Sequence, residues 1–289
     1  MREFFINKND AAQRCDKFLE KLGVPRALIY KAIRRKDIKI NSARAEAARI
    51  LEEGDIVRVY LPDDCFAEKG FTKAKRAIEI IYEDENIAVI NKPCGVPCQS
   101  GGVKKNETLV DMFKTYLLNQ GVYSPENEQS FSPALCNRLD VNTSGLVIGA
   151  KNAAALRAMN SYIRARRVRK FYICQTEGAP SKDFDTVEGY IEKDAFRNKS
   201  AVVKDGGKYT KTSYRVLSRG AVSVLEVELH TGRSHQIRAL CSYLGCPIVG
   251  DTKYGAKSGG GQALTAYKII FDFEDTGILA NLSHREVHL

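Results

Sequence analysis

The chain of 289 residues is 44% hydrophobic and 28% charged, the balance of a soluble globular protein, which argues against disorder; no apolar run approaches a membrane span. Its formal charge of +10, from 45 basic and 35 acidic residues, favours a polyanionic partner through phosphate neutralisation and counterion release, without by itself establishing one. The start, Met1 to Lys8, lacks the long apolar core of a signal peptide, so the expected address is the cytoplasm.

The length suits one large domain plus a small one. Phe18, Leu19 and Leu22 have helical spacing, Gly23 and Pro25 interrupt it, and a second helix over Arg26 to Arg35 turns Leu28, Ile29, Ala32 and Ile33 inward. Ile38 to Asn41 and Gly54 to Tyr60 alternate like short strands. Residues 1–62 hold 14 basic and 9 acidic residues, half the excess charge in about a fifth of the length. Lys31, Arg34, Arg35 and Lys36 cluster at the end of the second helix, which also reads as an ordinary solvated helix end. Residues 63–76 have no period and read as a linker.

From Ala77 the pattern changes. Ile78 to Tyr82 and Ile87 to Ile90 read as strands of a hairpin, followed by a break at Asn91 to Pro97 and a helix over 108–119. Asn137 to Lys151 places Asp140 between Arg138 and a Thr-Ser-Gly turn, just before a buried strand, Leu146 to Ile148. On that stretch alone the plainer reading is that Asp140 accepts hydrogen bonds from its own turn. A helix is expected over Asn152 to Arg169. Between Lys151 and Tyr172 lie seven basic residues, Arg167 and Lys170 among them, and no acid, which leans toward RNA contact. Phe171 to Cys174 and Ser223 to Leu229 read as strands, Ser234 as the cap of another helix, and Leu264 to Phe271 as a closing strand. This irregular mixture predicts an α+β domain with a mixed, largely antiparallel sheet.

The phosphate loop and the dinucleotide fingerprint are both missing, as are Cys-x-x-Cys pairs; the eight cysteines are expected to be free thiols, and no metal site can be assembled. What remains is one carboxylate among arginines. A carboxylate can act as a covalent nucleophile, and a neighbouring guanidinium keeps it ionised at some cost to nucleophilicity.

Two resemblances organise these features. The helix, the basic helix, Ile38-Lys39-Ile40-Asn41 and Glu53-Gly54-Asp55-Ile56-Val57 resemble an S4 RNA-binding domain, although the glycine often found near Lys36-Asp37 is missing. That resemblance implies RNA docking through Lys31, Arg34 and Arg35, mostly by phosphate and shape contacts. Lys92-Pro93-x-Gly95, then Asn137-Arg138-Leu139-Asp140-x-x-Thr143-Ser144-Gly145-Leu146, Lys170-x-Tyr172, Thr231-Gly232-Arg233-Ser234-His235-Gln236-Ile237-Arg238 and Pro247-Ile248-x-Gly250-Asp251-x-x-Tyr254-Gly255 follow in order across residues 77–271. Together they resemble the RluA family of pseudouridine synthases.

This second resemblance implies a pseudouridine-synthase fold over 77–289, behind an S4-like domain over 1–62, and isomerisation of uridine in RNA without cofactor or metal. It implies Asp140 as the nucleophile, at ribose C1′ or uracil C6, and Tyr172 stacked on the flipped base and taking a proton from C2′. Arg238 is implied as the partner of the aspartate, and Arg138 as the residue that assists flipping. The chemistry requires flipping, because a stacked uridine hides its glycosidic bond. The family commonly has His where this chain has Asn137 and Thr265, which bears on contacts near the nucleotide rather than on the nucleophile. The expected partner is large-subunit ribosomal RNA, with tRNA as the alternative, and the expected state a monomer. A non-catalytic RNA-binding assembly protein is the competing reading, against which the intact Asp140, Tyr172 and Arg238 stand. An enzyme of small nucleotides fits the basic block poorly.

Overall fold

A computed structural model describes the chain except residues 68–70, 72, 101–106, 195, 197 and 204. The N-terminal part runs β1 (Arg2–Phe5), α1 (Cys15–Lys21), α2 (Arg26–Arg35), β2 (Ile38–Ile40), β3 (Ala43–Arg44) and β4 (Ile56–Val59), with the strands in the order β1-β4-β2-β3. It has its own core, in which Phe18, Leu19 and Ile29 from the helices meet Ile38, Ile40, Val57 and Val59 from the strands. Lys36, at the end of α2, has φ of +64°, a left-handed position where glycine would be free of strain.

Residues beyond it build one large sheet from β5 (Glu79–Glu83), β6 (Ile87–Lys92), β7 (Ala134–Leu135), β8 (Ser144–Ala150), β9 (Val168–Glu177), β10 (Phe184–Asp194), β11 (Lys199–Val203), β12 (Lys208–Ser218), β13 (Val222–Leu229), β14 (Leu264–Phe271) and β15 (Glu286–His288). Its order is β11-β10-β12-β13-β9-β14-β8-β6-β5, with β7 on β8 and β15 on β14. Every pairing is antiparallel except β8 with β14. Each face of the sheet is covered. On one, Phe113 and Leu117 of α3 (Leu109–Asn119) and Ile237 and Cys241 of α5 (Gln236–Tyr243) pack against Ile90, Val147 and Leu225. On the other, Ala155 and Met159 of α4 (Ala153–Arg164), with Phe273, Leu279 and Leu282, pack against Val89, Ile148 and Phe271. Alternation along β6 and β8 sends Ala88, Ile90 and Val147 to the first layer and Ile87, Val89, Leu146 and Ile148 to the second.

Two helix boundaries differ from expectation. The helix expected to run to Arg169 ends at Arg164, because Arg166 turns left-handed at φ +60° and Val168 already enters β9. The helix expected to be capped by Ser234 begins at Gln236; His235, at φ +56°, occupies the cap position and makes no side-chain cap bond. The stretch read as a linker contains a short 3₁₀ turn at Asp63–Cys65, and Ala74 N–H donates to Thr115 Oγ1 at 2.8 Å, so part of it is docked on α3; residues 68–70 and 72 of it lie outside the described residues. Among the described residues no helix is long and apolar enough to cross a membrane. All eight cysteines are free thiols.

Candidate active site

Asp140 stands at the entrance to β8, and the segment around it is gripped from the Lys92–Cys98 loop. The Lys92 side chain, wholly buried, donates to the carbonyls of Pro93 at 2.9 Å, Val96 at 2.8 Å and Val141 at 3.0 Å. Burial pulls its pKa below the ordinary lysine value. Gly95 N–H donates to the same Val141 carbonyl at 2.9 Å. On the other side of Asp140, Cys98 Sγ accepts from Leu139 N–H at 3.3 Å and donates to Leu139 C=O at 3.4 Å. Residues before and after the carboxylate are therefore tied down, while its side chain remains 31% exposed. The turn closes with Thr143 N–H on the Asp140 carbonyl at 3.1 Å.

Gly145 makes the next step possible. At φ +113° it lies so close to β14 that an added Cβ would sit 2.2 Å from the Ala266 carbonyl oxygen. This close approach is the single parallel pairing of the sheet, Ser144 to Thr265 and Gly145 to Ala266. Thr265 Oγ1 and Ser144 Oγ are hydrogen-bonded at 2.8 Å, and Asn137 Oδ1 accepts Ile148 N–H at 2.8 Å. The two positions where the resembled family commonly has His thus carry local structural bonds here.

Arg238 arrives on the first turn of α5. Its Nε and Nη2 form a fork with both oxygens of the buried Asp251, at 2.6 and 2.8 Å, and its remaining Nη1 lies 3.4 Å from Asp140 Oδ2. The expected Arg238–Asp140 pair exists, but Asp251 holds the stronger, bidentate half. Burial opposes the charge on Arg238, yet its hydrogen bonds and charge contacts with Asp251, and then the charge of Asp140, raise its pKa. Asp251 itself depends on Gly250, at φ +79°, where a Cβ would meet the Gly261 carbonyl oxygen at 2.2 Å. The start of α5 is fixed by the buried Gln236, which accepts from Thr231 Oγ1 at 3.0 Å and Arg233 N–H at 2.9 Å and donates to Thr212 Oγ1 at 2.8 Å.

Tyr172 lies mid-strand on β9, opposite Val227 on one side and Ala266 on the other. Its ring is 5% exposed, and burial together with the charge of Asp140 raises its pKa well above the ordinary tyrosine value. The phenol is therefore protonated at neutral pH. His235 completes the group, with Nε2 3.8 Å from Asp140 Oδ2 and Nδ1 2.9 Å from the Tyr254 hydroxyl.

These side chains line one cleft of about 840 Å³. Eight basic residues border it (Arg138, Arg164, Arg166, Arg169, Lys170, Lys211, Arg233 and Arg238) against two acidic ones, Asp140 and Glu228. Arg138 is exposed beside Asp140. Lys170 is largely buried, which lowers its pKa. Not all of the basic block is both in the cleft and free of an acidic partner. Lys151 is buried against Glu83, at 2.6 Å, and Arg169 is forked to Glu228, at 2.7 and 3.1 Å. Arg167 is half-exposed outside the cleft, 3.8 Å from Asp272. Lys31, Arg34 and Arg35 are exposed on α2 and line no part of the cleft. Among the described residues no three His, Cys, Asp or Glu side chains form a metal-binding group.

Sequence reasoning assigned no role to Lys92, Cys98 or Asp251, and left His235, at a helix start, equally suited to holding backbone and to catalysis. Lys92, His235 and Asp251 lie inside the quoted motifs, but the contacts that tie them to the site, to Val141, Asp140 and Arg238, span 13 to 95 residues, a pairing no local pattern reveals.

Residues 86–243 match the family model described as RNA pseudouridylate synthase. The chain is 35% identical over 283 residues to an uncharacterized RNA pseudouridine synthase of Mycoplasma capricolum subsp. capricolum, covering 94% of this chain and 92% of that protein. It is 37% identical over 265 residues to the ribosomal large subunit pseudouridine synthase C of Rickettsia bellii, covering 84% and 83%. The fold is similar to human RNA pseudouridylate synthase domain containing 4, with a TM-score of 0.57 at 23% identity over 73% of this chain and 87% of the other. With Asp140, Tyr172 and Arg238 from three separate motifs lining a single cleft and relatives matched along most of its length, the chain belongs to the RNA pseudouridylate synthase family, in its RluA branch, and is an RNA-modifying isomerase.

Proposed function

We propose that this enzyme converts a uridine of large-subunit ribosomal RNA to pseudouridine with Asp140 as nucleophile. The observation that carries the reading is the Asp140 carboxylate, held at both neighbouring residues yet open to a cleft bordered by eight cations. The ribosomal target is supported by relatives that are themselves named as ribosomal large subunit pseudouridine synthases.

The chemistry moves one bond and one proton: N1–C1′ breaks, C5–C1′ forms, and the proton leaves C5 while N1 gains one. No net oxidation occurs, so side chains suffice and no cofactor or metal is required. Asp140 attacks C1′ or C6 and releases the uracil to turn. Arg238 orients the carboxylate without monopolising it, since Asp251 takes its fork. Tyr172 stacks on the flipped base; its raised pKa favours that role over the proton-accepting one. Arg138 occupies the place the base leaves, an extraction that costs a few kcal/mol. Lys170 and Arg167 contact the RNA backbone.

Residues 1–62 act as an S4-like RNA-binding domain through Lys31, Arg34 and Arg35, residues 63–76 link it, and 77–289 catalyse. The enzyme acts as a monomer, and an RNA substrate of this kind is met in the cytoplasm.

Asp140→Asn is expected to abolish pseudouridine formation while RNA binding persists, read by single-turnover product assay and filter binding; retained turnover refutes the assignment. Pseudouridine mapping of total RNA with and without the gene is expected to lose a large-subunit ribosomal position. Loss from tRNA alone would move the target there.

A further inference from the structure

His235, in the cleft wall, reaches the Asp140 carboxylate with its Nε2 at 3.8 Å. Its hydrogen bonds determine where its proton sits. Tyr254 is buried, and its hydroxyl oxygen accepts the Ser200 N–H at 2.8 Å. The proton of that hydroxyl then needs an acceptor. The Ser200 hydroxyl lies near it but makes no well-directed hydrogen bond, whereas His235 Nδ1 lies at 2.9 Å. Nδ1 is thus the acceptor, and the neutral ring carries its proton on Nε2, the nitrogen 3.8 Å from Asp140 Oδ2.

Arg238 Nη1 approaches that same Oδ2, at 3.4 Å, and no described residue hydrogen-bonds Oδ1. We infer that His235 is a positioning residue whose neutral Nε2–H joins Arg238 in anchoring Asp140 Oδ2, leaving Oδ1 as the attacking oxygen. This rests on the reading of Asp140 as nucleophile. The distance of 3.8 Å exceeds a hydrogen bond, and such contacts commonly tighten when the substrate closes the site. Burial lowers the pKa of the ring; Asp140 and Asp251 push it up, while Arg238 and Lys253 push it down. A neutral donor orients the carboxylate without adding a second full positive charge to it. The relay begins at the Ser200 backbone on β11, so the outermost strand of the sheet supports the nucleophile.

The full-length enzyme labelled with ¹⁵N-histidine tests this directly, since only His230, His284 and His288 add signals. The His235 resonances are expected to show Nε2 protonated and Nδ1 bare at neutral pH, and Tyr254→Phe is expected to mix the two tautomers. His235→Ala is expected to slow single-turnover product formation about tenfold to a hundredfold, the loss of one hydrogen bond to a charged group, with RNA affinity little changed. His235→Gln, whose amide can replace the Nε2–H, is expected to recover most of that rate. An Nδ1–H tautomer, a charged ring at neutral pH, or an unimpaired rate in His235→Ala overturns the proposal. The resonances are read in the unmodified enzyme, so they decide even if a variant folds poorly. They are also independent of turnover: activity in Asp140→Asn would remove the nucleophile reading itself, whichever tautomer His235 shows.

Discussion

The Lys92 ammonium donates to three main-chain carbonyls, one of which belongs to Val141, the residue after Asp140. A lysine in a motif next to a catalytic site invites a chemical role, but its burial and its three bonds show a structural one. Lys92→Met keeps the length and removes the donors, taking this partner from the Pro93 and Val96 carbonyls and leaving Val141 with Gly95 N–H. It is expected to cost about 2–4 kcal/mol of stability, read by urea unfolding, and to lower the single-turnover rate by displacing Asp140. Arg238 is bound by a similar logic. Asp251 draws two of its donors away, so Asp140 receives one guanidinium nitrogen and its charge is less neutralised than in a bidentate pair. Asp140 was visible in the chain as a candidate, because a carboxylate between an arginine and a turn is a local pattern. Asp251 was not, because its meaning comes from a partner on another element.

At the scale of elements, the segments with clean periodicity were legible. Val147 and Ile148 in β8, the alternating β13, and α3 with its Thr108–Asp111 capping box all lie where the apolar pattern places them. β10, β11 and β12 went unread. Of the eleven residues of β10, Ile191 alone is buried, so the alternation that marks a half-covered strand hardly appears. The end of α4 was misread because the basic run continues across Arg166, whose left-handed turn leaves no mark in composition. Gly145→Ala tests the parallel β8–β14 junction. Its Cβ would collide with the Ala266 carbonyl in a backbone conformation already unfavourable for alanine, and a loss of about 3 kcal/mol or more is expected by thermal unfolding. In the N-terminal part, Asp16 joins α1 to α2, accepting from Arg14 at 2.8 and 3.0 Å and from the Tyr30 hydroxyl at 3.0 Å. The Arg14 hydrogen bonds hold its pKa at about 2, below the ordinary 3.8, against the effect of burial. A carboxylate lowered in this way stabilises above its unfolded pKa, and the contribution fades as pH falls through the folded value. Asp16→Asn is therefore expected to cost about 1–2 kcal/mol at pH 7, discounted for the half-exposed Arg14. The gap from the unmodified protein should close between pH 4 and pH 2 in acid-unfolding curves.

In the whole molecule, the two cores are joined by polar contacts rather than by a shared apolar layer. Asp10 accepts Ser130 N–H at 2.9 Å and Ser130 Oγ–H at 2.6 Å, Gln13 donates to Ser130 Oγ at 2.8 Å, and Asn9 accepts Ala153 N–H at 3.2 Å from the start of α4. The polar stretch before Asp140, featureless as sequence, is the dock for the N-terminal part. These contacts dock the N-terminal part, which carries the exposed cations of α2, on the residues around Ser130 and on the start of α4. Replacing Lys31, Arg34 and Arg35 together by Gln is expected to weaken RNA binding and to reduce the slope of log affinity against log salt by about 2. An unchanged slope would mean that this face binds something else.

The amino-acid sequence by itself determined the family, the order of its motifs, the identity of the candidate nucleophile and most of the buried strands, because these depend on residue type, short spacing and local periodicity. Tertiary structure alone decided which groups hold Asp140, how Arg238 divides its donors, that His235 lies between Tyr254 and Asp140, and which members of the basic block face the cleft. Each of those is set by a contact between residues far apart in the chain. Whether a charge is buried against a carboxylate, as in Lys151, or left open beside the cleft, as in Arg138, is a property of packing that no stretch of sequence contains.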